Sequence, residues 1–281
     1  MTVPHQLDEN QKAHYQREGS LVVDHVLGAD DLVVLNEVID EVVTTAIETG
    51  EADRQLEVEP ADTGPNPALR RIIRPYDLHP GFRSIAHDPR IVDRVESLIG
   101  PDLELQHSKL NWKPAQVGSA VAWHQDLSYY PHSNDSVLAV LIYLDSATEA
   151  NGCLQVLPRQ HGEYLDHRTP IGRFAGRLPE DVIDGHEPEL LTAPAGSAIF
   201  LHGLTPHASP PNHSSADRRT LIFAYRAGDA YPLFYGSRTV HDEQGCRSIR
   251  GHRSPKARFA GPAPIVPRID NSDSLYDIQT G

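Results

Sequence analysis

AWHQDLSYYPH, residues 122–132, sets two histidines, an aspartate and two tyrosines in one short stretch. One residue separates His124 from Asp126. On a β-strand, residues i and i+2 project from the same face, so both side chains can reach one ion. Two histidines and a carboxylate occupy one triangular face of an octahedron and leave three positions open. That suits non-haem Fe(II), which must also bind a cosubstrate and O2. The pair therefore asks for a third ligand, a histidine much later in the chain, and for a β architecture that returns it to the same place.

The surrounding sequence supplies that architecture. LELQHSKLNWKP alternates, as does much of SVLAVLIYLD (136–145), and GCLQVLP, SAIFLHG and RTLIFAYRAG are short β-type runs separated by turn residues. Many short strands at near-regular spacing predict a sandwich or barrel. Upstream, the first hundred residues read as mostly helical support. Asp8 can cap a helix that Gly19 ends, and SLVVDHVL is a short strand. Leu32, Leu35, Val38, Ile39, Val42, Val43 and Ile47 have the three-and-four spacing of an amphipathic helix. Residues 51–67 are acidic and rich in Pro and Gly, and read as a loop. LRRIIRPYD reads as a strand carrying arginines, and 89–99 as a helix with Pro89 at its start. The polar segment 161–188 has no clear period and reads as a lid-like or partly helical insertion. We expect one domain over 1–281, with a β core over 101–230 and an irregular segment over 231–281.

By position alone the third ligand is open among His161, His167, His186, His202, His207 and His213. A strand ending at His202, a turn at Gly203 and a further edge at Pro206-His207 set His207 at a sheet rim. His207 also begins a second pattern, with Ser209 two residues on and Arg218 eleven residues on. A guanidinium binds a carboxylate through two parallel hydrogen bonds, and a hydroxyl adds a third.

Composition narrows the function classes. A formal charge of −14 over 281 residues argues against nucleic acid and anionic membranes as partners. Cys153 and Cys246 do not make a disulfide framework and read as free thiols. No apolar leader and no run of roughly 18 apolar residues is present, so the expectation is a cytoplasmic protein acting on a small molecule, of undetermined oligomeric state.

WHQDLSYYP, NGCLQVLPRQHG and GSAIFLHGLTPHASPPNHSSADRR together resemble the phytanoyl-CoA dioxygenase family of Fe(II)/2-oxoglutarate oxygenases, over about Arg70 to Arg226. The resemblance implies a mainly β fold with flanking α: a double-stranded β-helix (a cupin-like jelly roll) braced by N-terminal helices. It implies Fe(II) at His124, Asp126 and His207, with 2-oxoglutarate and O2 as cosubstrates. Arg218 would grip the far carboxylate of 2-oxoglutarate with help from Ser209. Lys109 and Asn111 share a strand face with Lys113 and are the expected second wall of that pocket. The family pattern also sets a basic residue from the Arg71–Arg74 region near the cosubstrate or substrate; Arg74 is taken for the substrate, with Tyr130 and His132 on the loop after the metal pair. Related halogenases carry a small residue at the carboxylate position, so Asp126 points to hydroxylation of an aliphatic C–H in a small polar metabolite or natural-product intermediate, releasing succinate and CO2. The family's usual Gly-Ser before the histidine matching His161 is here Arg159-Gln160. Two other readings stand beside this one: a non-catalytic metal-binding β-helix protein, and a non-haem iron dioxygenase that does not use 2-oxoglutarate. The second gives the Ser209–Arg218 pair no task; for the first, a structural zinc would normally use four closed protein ligands, often thiolates, which two scattered cysteines do not provide.

Overall fold

Helix α1 (Glu9–Glu18) starts where the sequence allows it. The Asp8 carboxylate accepts from the Gln11 backbone N–H, and the Gln11 side chain accepts from the Asp8 N–H. Gly19 closes the helix at φ +80°, and a Cβ there would lie 2.3 Å from Thr205 Oγ1. Only glycine meets both demands. In the computed structural model, residues 5–59, 67–169, 171–233 and 247–265 are described.

Strand β1 (Ser20–Val23) leads into α2 (Ala29–Glu48), whose buried stripe is Leu35, Val38, Ile39, Val42 and Ala46. Ile47, expected on that stripe, is 63% exposed. Ala46 stands four residues after Val42 and takes the last inward position. The expected loop after α2 contains α3 (Ala52–Gln55) and β2 (Leu56–Val58); residues 60–66 lie outside the described residues. Then come β3 (Leu69–Ile73), α4 (Pro75–Leu78), α5 (Pro80–Ala86) and α6 (Pro89–Ile99). The last is capped by Asp88, whose side chain accepts from the Arg90 N–H. The first hundred residues are thus more than helical support: β1, β2 and β3 all join the larger sheet.

The remaining elements are β4 (Leu103–Lys113), β5 (Val121–His124), β6 (Val137–Tyr143), β7 (Leu154–Val156), α7 (Glu180–Ile183), β8 (Glu189–Leu191), β9 (Ala198–His202), β10 (His207–Ser209), β11 (Arg218–Ala227) and β12 (Arg247–Arg250). The larger sheet runs β1-β9-β6-β11-β4-β3-β2, with β12 also on β4, and the smaller runs β5-β10-β7-β8. All pairings are antiparallel. This is the expected jelly roll with helices on its outer face. β12 is a strand inside a segment read as irregular, and Cys246 lies outside the described residues.

β6 departs from the alternation read in the sequence, because all seven of its residues are buried. Leu138, Val140 and Ile142 pack with Phe200, Leu221 and Phe223 in the layer beneath the helices. Ala139, Leu141 and Tyr143 face the smaller sheet with Leu154, Val156 and Leu191. A central strand covered on both sides carries apolar residues on both faces, and each buried aliphatic side chain contributes about 1.5–3 kcal/mol. Cys153 fills the inter-sheet layer. At the end of β7, Arg159 adopts φ +65°, the left-handed conformation that glycine favours. Its N–H donates to the Glu18 carbonyl at 3.1 Å and its guanidinium pairs with the Glu18 carboxylate at 2.9 Å, so this arginine ties the turn to α1. Segment 161–188 has little regular structure beyond α7, and it packs beside β5 through Leu178 N–H to the Trp123 carbonyl at 2.7 Å.

Candidate metal centre and cosubstrate pocket

Strand register makes the centre. β10 lies between β5 and β7, and His207 stands directly opposite His124. The two rings are 4.2 Å apart, centre to centre. Asp126 begins the 3-10 turn that follows β5, and its carboxylate lies 3.8 Å from His124 Nε2. One ligand atom from each of His124, Asp126 and His207 falls within 4.8 Å of the others, and all three residues are buried. His202, the alternative third ligand, is elsewhere: its ring sits 5.1 Å from that of His161 and its Nε2 is 3.9 Å from the Asp135 carboxylate.

The ring orientations suit a metal. His124 Nδ1 donates to the Ala122 carbonyl at 2.8 Å and His207 Nδ1 to the Thr205 carbonyl at 2.9 Å. Each Nε2 keeps its lone pair, the form in which imidazole ligates. Burial pushes both imidazoles below their usual pKa, so they are neutral. Burial also raises the Asp126 carboxyl, but nearby positive charge, Lys109 foremost, outweighs it and holds the group below the usual carboxylate range. The Tyr130 hydroxyl, itself pushed well up by burial and then by Asp126, donates a hydrogen bond to that carboxylate.

A cavity opens beside these ligands, lined by polar and charged side chains along with Ala139, Leu141, Leu154 and Ile222. Its inner wall is the β4–β11 pair, where Lys113 stands opposite Arg218, Asn111 opposite Thr220 and Lys109 opposite Ile222. Arg218 is 5% exposed. Its Nη2 donates to the Gly152 carbonyl at 2.7 Å, Nη1 to Thr220 Oγ1 at 2.6 Å and Nε to the Asn151 carbonyl at 3.4 Å. All three acceptors are neutral, and no carboxylate among the described residues pairs with it. Lys113 Nζ donates to the Ser119 carbonyl and, at 3.3 Å, to the Ser209 carbonyl.

Residues 15–220 match the phytanoyl-CoA dioxygenase (PhyH) family. Over 265 residues the chain is 33% identical to a probable alpha-ketoglutarate-dependent hypophosphite dioxygenase of Stutzerimonas stutzeri, covering 92% of this chain and 88% of that protein. The chain belongs to the phytanoyl-CoA dioxygenase family. A methylphosphonate hydroxylase of Gimesia maris is 28% identical to this PhyH-family chain over 235 residues, covering 83% of it and 86% of the relative. The fold is shared with EctD from S. alaskensis with bound Fe, at TM-score 0.69 and 20% identity, over 92% of this chain and 88% of that one. As a PhyH-family member the protein is a dioxygenase using Fe(II) and 2-oxoglutarate, and the donor set fits that metal: two neutral imidazoles, an ionised carboxylate and open space on the cavity side. No helix among the described residues is long and apolar enough to cross a membrane.

In this PhyH-family site, Ser209, Lys109, Asn111 and Arg218 line the cavity with the three metal ligands. Other expected residues lie off it. Arg74 follows the end of β3, takes φ +50° ahead of Pro75 and is exposed; Arg71, three residues earlier, is the arginine that lines the cavity. His132 is buried outside it, with Nδ1 donating to the Tyr130 carbonyl at 2.6 Å and Nε2 3.3 Å from the Gln106 side chain. Tyr130 reaches a metal ligand rather than open cavity, and its ring stacks edge-on against His107 at 5.3 Å.

Some site residues escaped the sequence reading. Lys113 was visible on the Lys109 face, but only pairing with β11 sets it beside Arg218. Thr220 follows Arg218 by two on the same face. Glu59, which accepts from Ser119 N–H at 3.1 Å, lies in the stretch read as a loop and carried no periodic signal.

Proposed function

We propose that this enzyme hydroxylates an aliphatic C–H bond of a small polar metabolite, coupled to conversion of 2-oxoglutarate to succinate and CO2. One observation carries the reading: the buried His124–Asp126–His207 group and the carboxylate-free guanidinium of Arg218 line the same cavity. His124, Asp126 and His207 hold Fe(II). With 2-oxoglutarate and O2, the bound metal supplies the oxidising power that transfers one oxygen atom to the substrate and the other to succinate. Arg218 receives the C5 carboxylate through its paired N–H groups, with Thr220 and Ser209 alongside and Lys113 as a second cation. Asn111 stiffens the wall: its Oδ1 accepts from Arg71 Nε at 2.9 Å. Tyr130 holds the Asp126 carboxylate in one orientation, and the apolar floor of Ala139, Leu141, Leu154 and Ile222 excludes water around the reacting groups.

Relatives named for hypophosphite, methylphosphonate and L-proline support a substrate of this size and polarity. An iron dioxygenase working without 2-oxoglutarate would leave the Arg218 charge without a counter-ion. The test is anaerobic addition of Fe(II) followed by 2-oxoglutarate to the purified protein. A visible charge-transfer band that needs both additions is expected, and substrate-dependent succinate release should follow on admitting O2. A protein that binds Fe(II) but develops no band with 2-oxoglutarate would sink the proposal.

A further inference from the structure

His124 and Asp126 flank a residue that faces the other way. Gln125 is extended, at φ −112° and ψ 131°, so its side chain leaves the chain opposite to that of His124. It is fully buried and does not line the cavity. It meets the backbone of two other segments instead. Its Nε2 donates to the Leu204 carbonyl at 2.6 Å and to the Glu163 carbonyl at 2.9 Å, and its Oε1 accepts from the Leu165 N–H at 2.8 Å. The Gln125 backbone N–H donates to His167 Nε2 at 3.0 Å, and His167 Nδ1 donates to the Leu165 carbonyl at 2.9 Å. His167 is buried, and burial brings its pKa down to about 4, so the ring is neutral and Nε2 is an acceptor.

These bonds join the two turns that carry the metal ligands. Leu204 lies between β9 and β10, three residues before His207, and the next residue, Thr205, supplies the carbonyl that orients the His207 ring. On the other side of Asp126, the Leu127 N–H donates to the Gly203 carbonyl at 2.9 Å. Asp126 is thus pinned from both neighbours. It needs that, because β5 ends at His124 and no strand ladder aims the carboxylate. The segment that meets Gln125 is fastened to the same turn again further on. The Tyr129 hydroxyl donates to the Gly176 carbonyl, and the Phe174 ring packs edge-on against the Tyr129 ring at 4.9 Å. The Tyr129 ring in turn lies edge-on to His124 at 5.6 Å.

We propose that Gln125, with His167 behind it, is a positioning residue of the iron centre, and that through this junction metal occupancy is coupled to the order of residues 163–169 and 171–178. Gln125 acts by fixing the turn that carries Asp126 against the turn that leads to His207. The coupling is reciprocal: whatever the junction adds to metal affinity, the bound metal adds to the attachment of the segment. The inference rests on His124, Asp126 and His207 as the metal ligands.

The test uses the full-length metal-free protein and Co(II), whose visible bands report its coordination geometry. In the native protein, saturation with Co(II) should slow amide hydrogen exchange in 163–169 and 171–178 by at least about fivefold, with α6 unchanged. Gln125→Met keeps the bulk and loses the three side-chain bonds; it should bind Co(II) about 10- to 100-fold more weakly, with altered visible bands. His167→Leu should shift affinity in the same direction, and His167→Gln, whose Oε1 can accept from the Gln125 N–H, should recover most of the loss. A merely structural role would lower the Tm of the metal-free variants yet leave the affinity and visible bands of the folded protein as in the native one; that result would overturn the proposal. So would exchange in 163–169 and 171–178 that ignores Co(II), a comparison on the native protein that stands even if the variants fail to fold. A native protein that binds no Co(II) overturns the ligand assignment itself, and is seen before any variant is made.

Discussion

Replacing Arg218 by Met should nearly abolish 2-oxoglutarate binding yet leave the empty protein about as stable as before. The guanidinium is buried, burial lowers its pKa, and its three hydrogen bonds run to the neutral oxygens of Gly152, Thr220 and Asn151. Its counter-ion is thus the C5 carboxylate of the cosubstrate. Removing one member of a buried, hydrogen-bonded ion pair costs about 3–5 kcal/mol. At roughly 1.4 kcal/mol per decade, affinity should fall by at least 10²-fold. Arg218→Lys keeps the charge but not the paired geometry, and should fall between the two. In the empty protein the variant gives up three hydrogen bonds to neutral acceptors and also removes a buried charge without a partner, two effects of opposite sign. Thermal denaturation separates the two states. At about 100 times its Kd, 2-oxoglutarate stabilises the native protein by about 2.7 kcal/mol, a rise of roughly 4–5 °C in Tm for a chain of this size. That rise should vanish in Arg218→Met at the same concentration, and the ligand-free Tm should move by only a few degrees. Anaerobic titration of the 2-oxoglutarate band gives the affinities directly. A variant that binds 2-oxoglutarate within about threefold of the native protein would refute the assignment of this residue and the charge accounting behind it.

Other outcomes follow from neighbouring residues. Burial and then Arg218 bring the Lys113 amine down to about 6, against the pull of Glu59, so at pH 7–8 it is largely neutral in the empty pocket. An arriving carboxylate draws a proton onto it; 2-oxoglutarate affinity should therefore weaken above about pH 6, by up to about tenfold per pH unit. Calorimetry in buffers of different ionisation enthalpy should register the proton taken up, and Lys113→Met should flatten the profile. Gly152 has φ +73° and a Cβ there would lie 2.2 Å from the Pro210 carbonyl oxygen, while its own carbonyl holds Arg218. Gly152→Ala should cost roughly 2–5 kcal/mol of stability from strain and overpacking, read by urea denaturation, and should weaken 2-oxoglutarate binding as well. Tyr130→Phe removes the hydrogen bond to Asp126 and should weaken Co(II) or Fe(II) binding by about 10- to 100-fold in direct metal titration, with little change in Tm.

Local spacing carried a good part of the molecule. The Asp8 and Gly19 caps of α1 and the short apolar runs of β4, β9 and β11 each depend on neighbours in the chain, and each is found where it was read. His124 and Asp126 do come together, but not as i and i+2 of one strand: β5 ends at His124 and Asp126 opens the 3-10 turn after it. Placement in space was open where neighbours say nothing. Arg71 and Arg74 were indistinguishable as members of one arginine-bearing strand, until the strand ended at Ile73 and Pro75 turned Arg74 outward. His132 and Tyr130 share a loop with the metal pair, yet one is buried away from the cavity and the other is spent on Asp126. The continuous burial of β6 depends on having helices on one face and the smaller sheet on the other, which its own seven residues cannot specify.

The sequence by itself determined which residue types could ligate iron and grip a carboxylate, and period-two spacing fixed which side chains of β4 and β11 share a face. Only the tertiary structure decided that His207 faces His124, that Lys113 rather than Lys109 stands beside Arg218, and that five basic side chains line one cavity. Those facts are set by register and layer packing between strands distant in the chain. The local sequence leaves them open, because sliding any strand by one residue would exchange its cavity-facing side chains for the set on its other face.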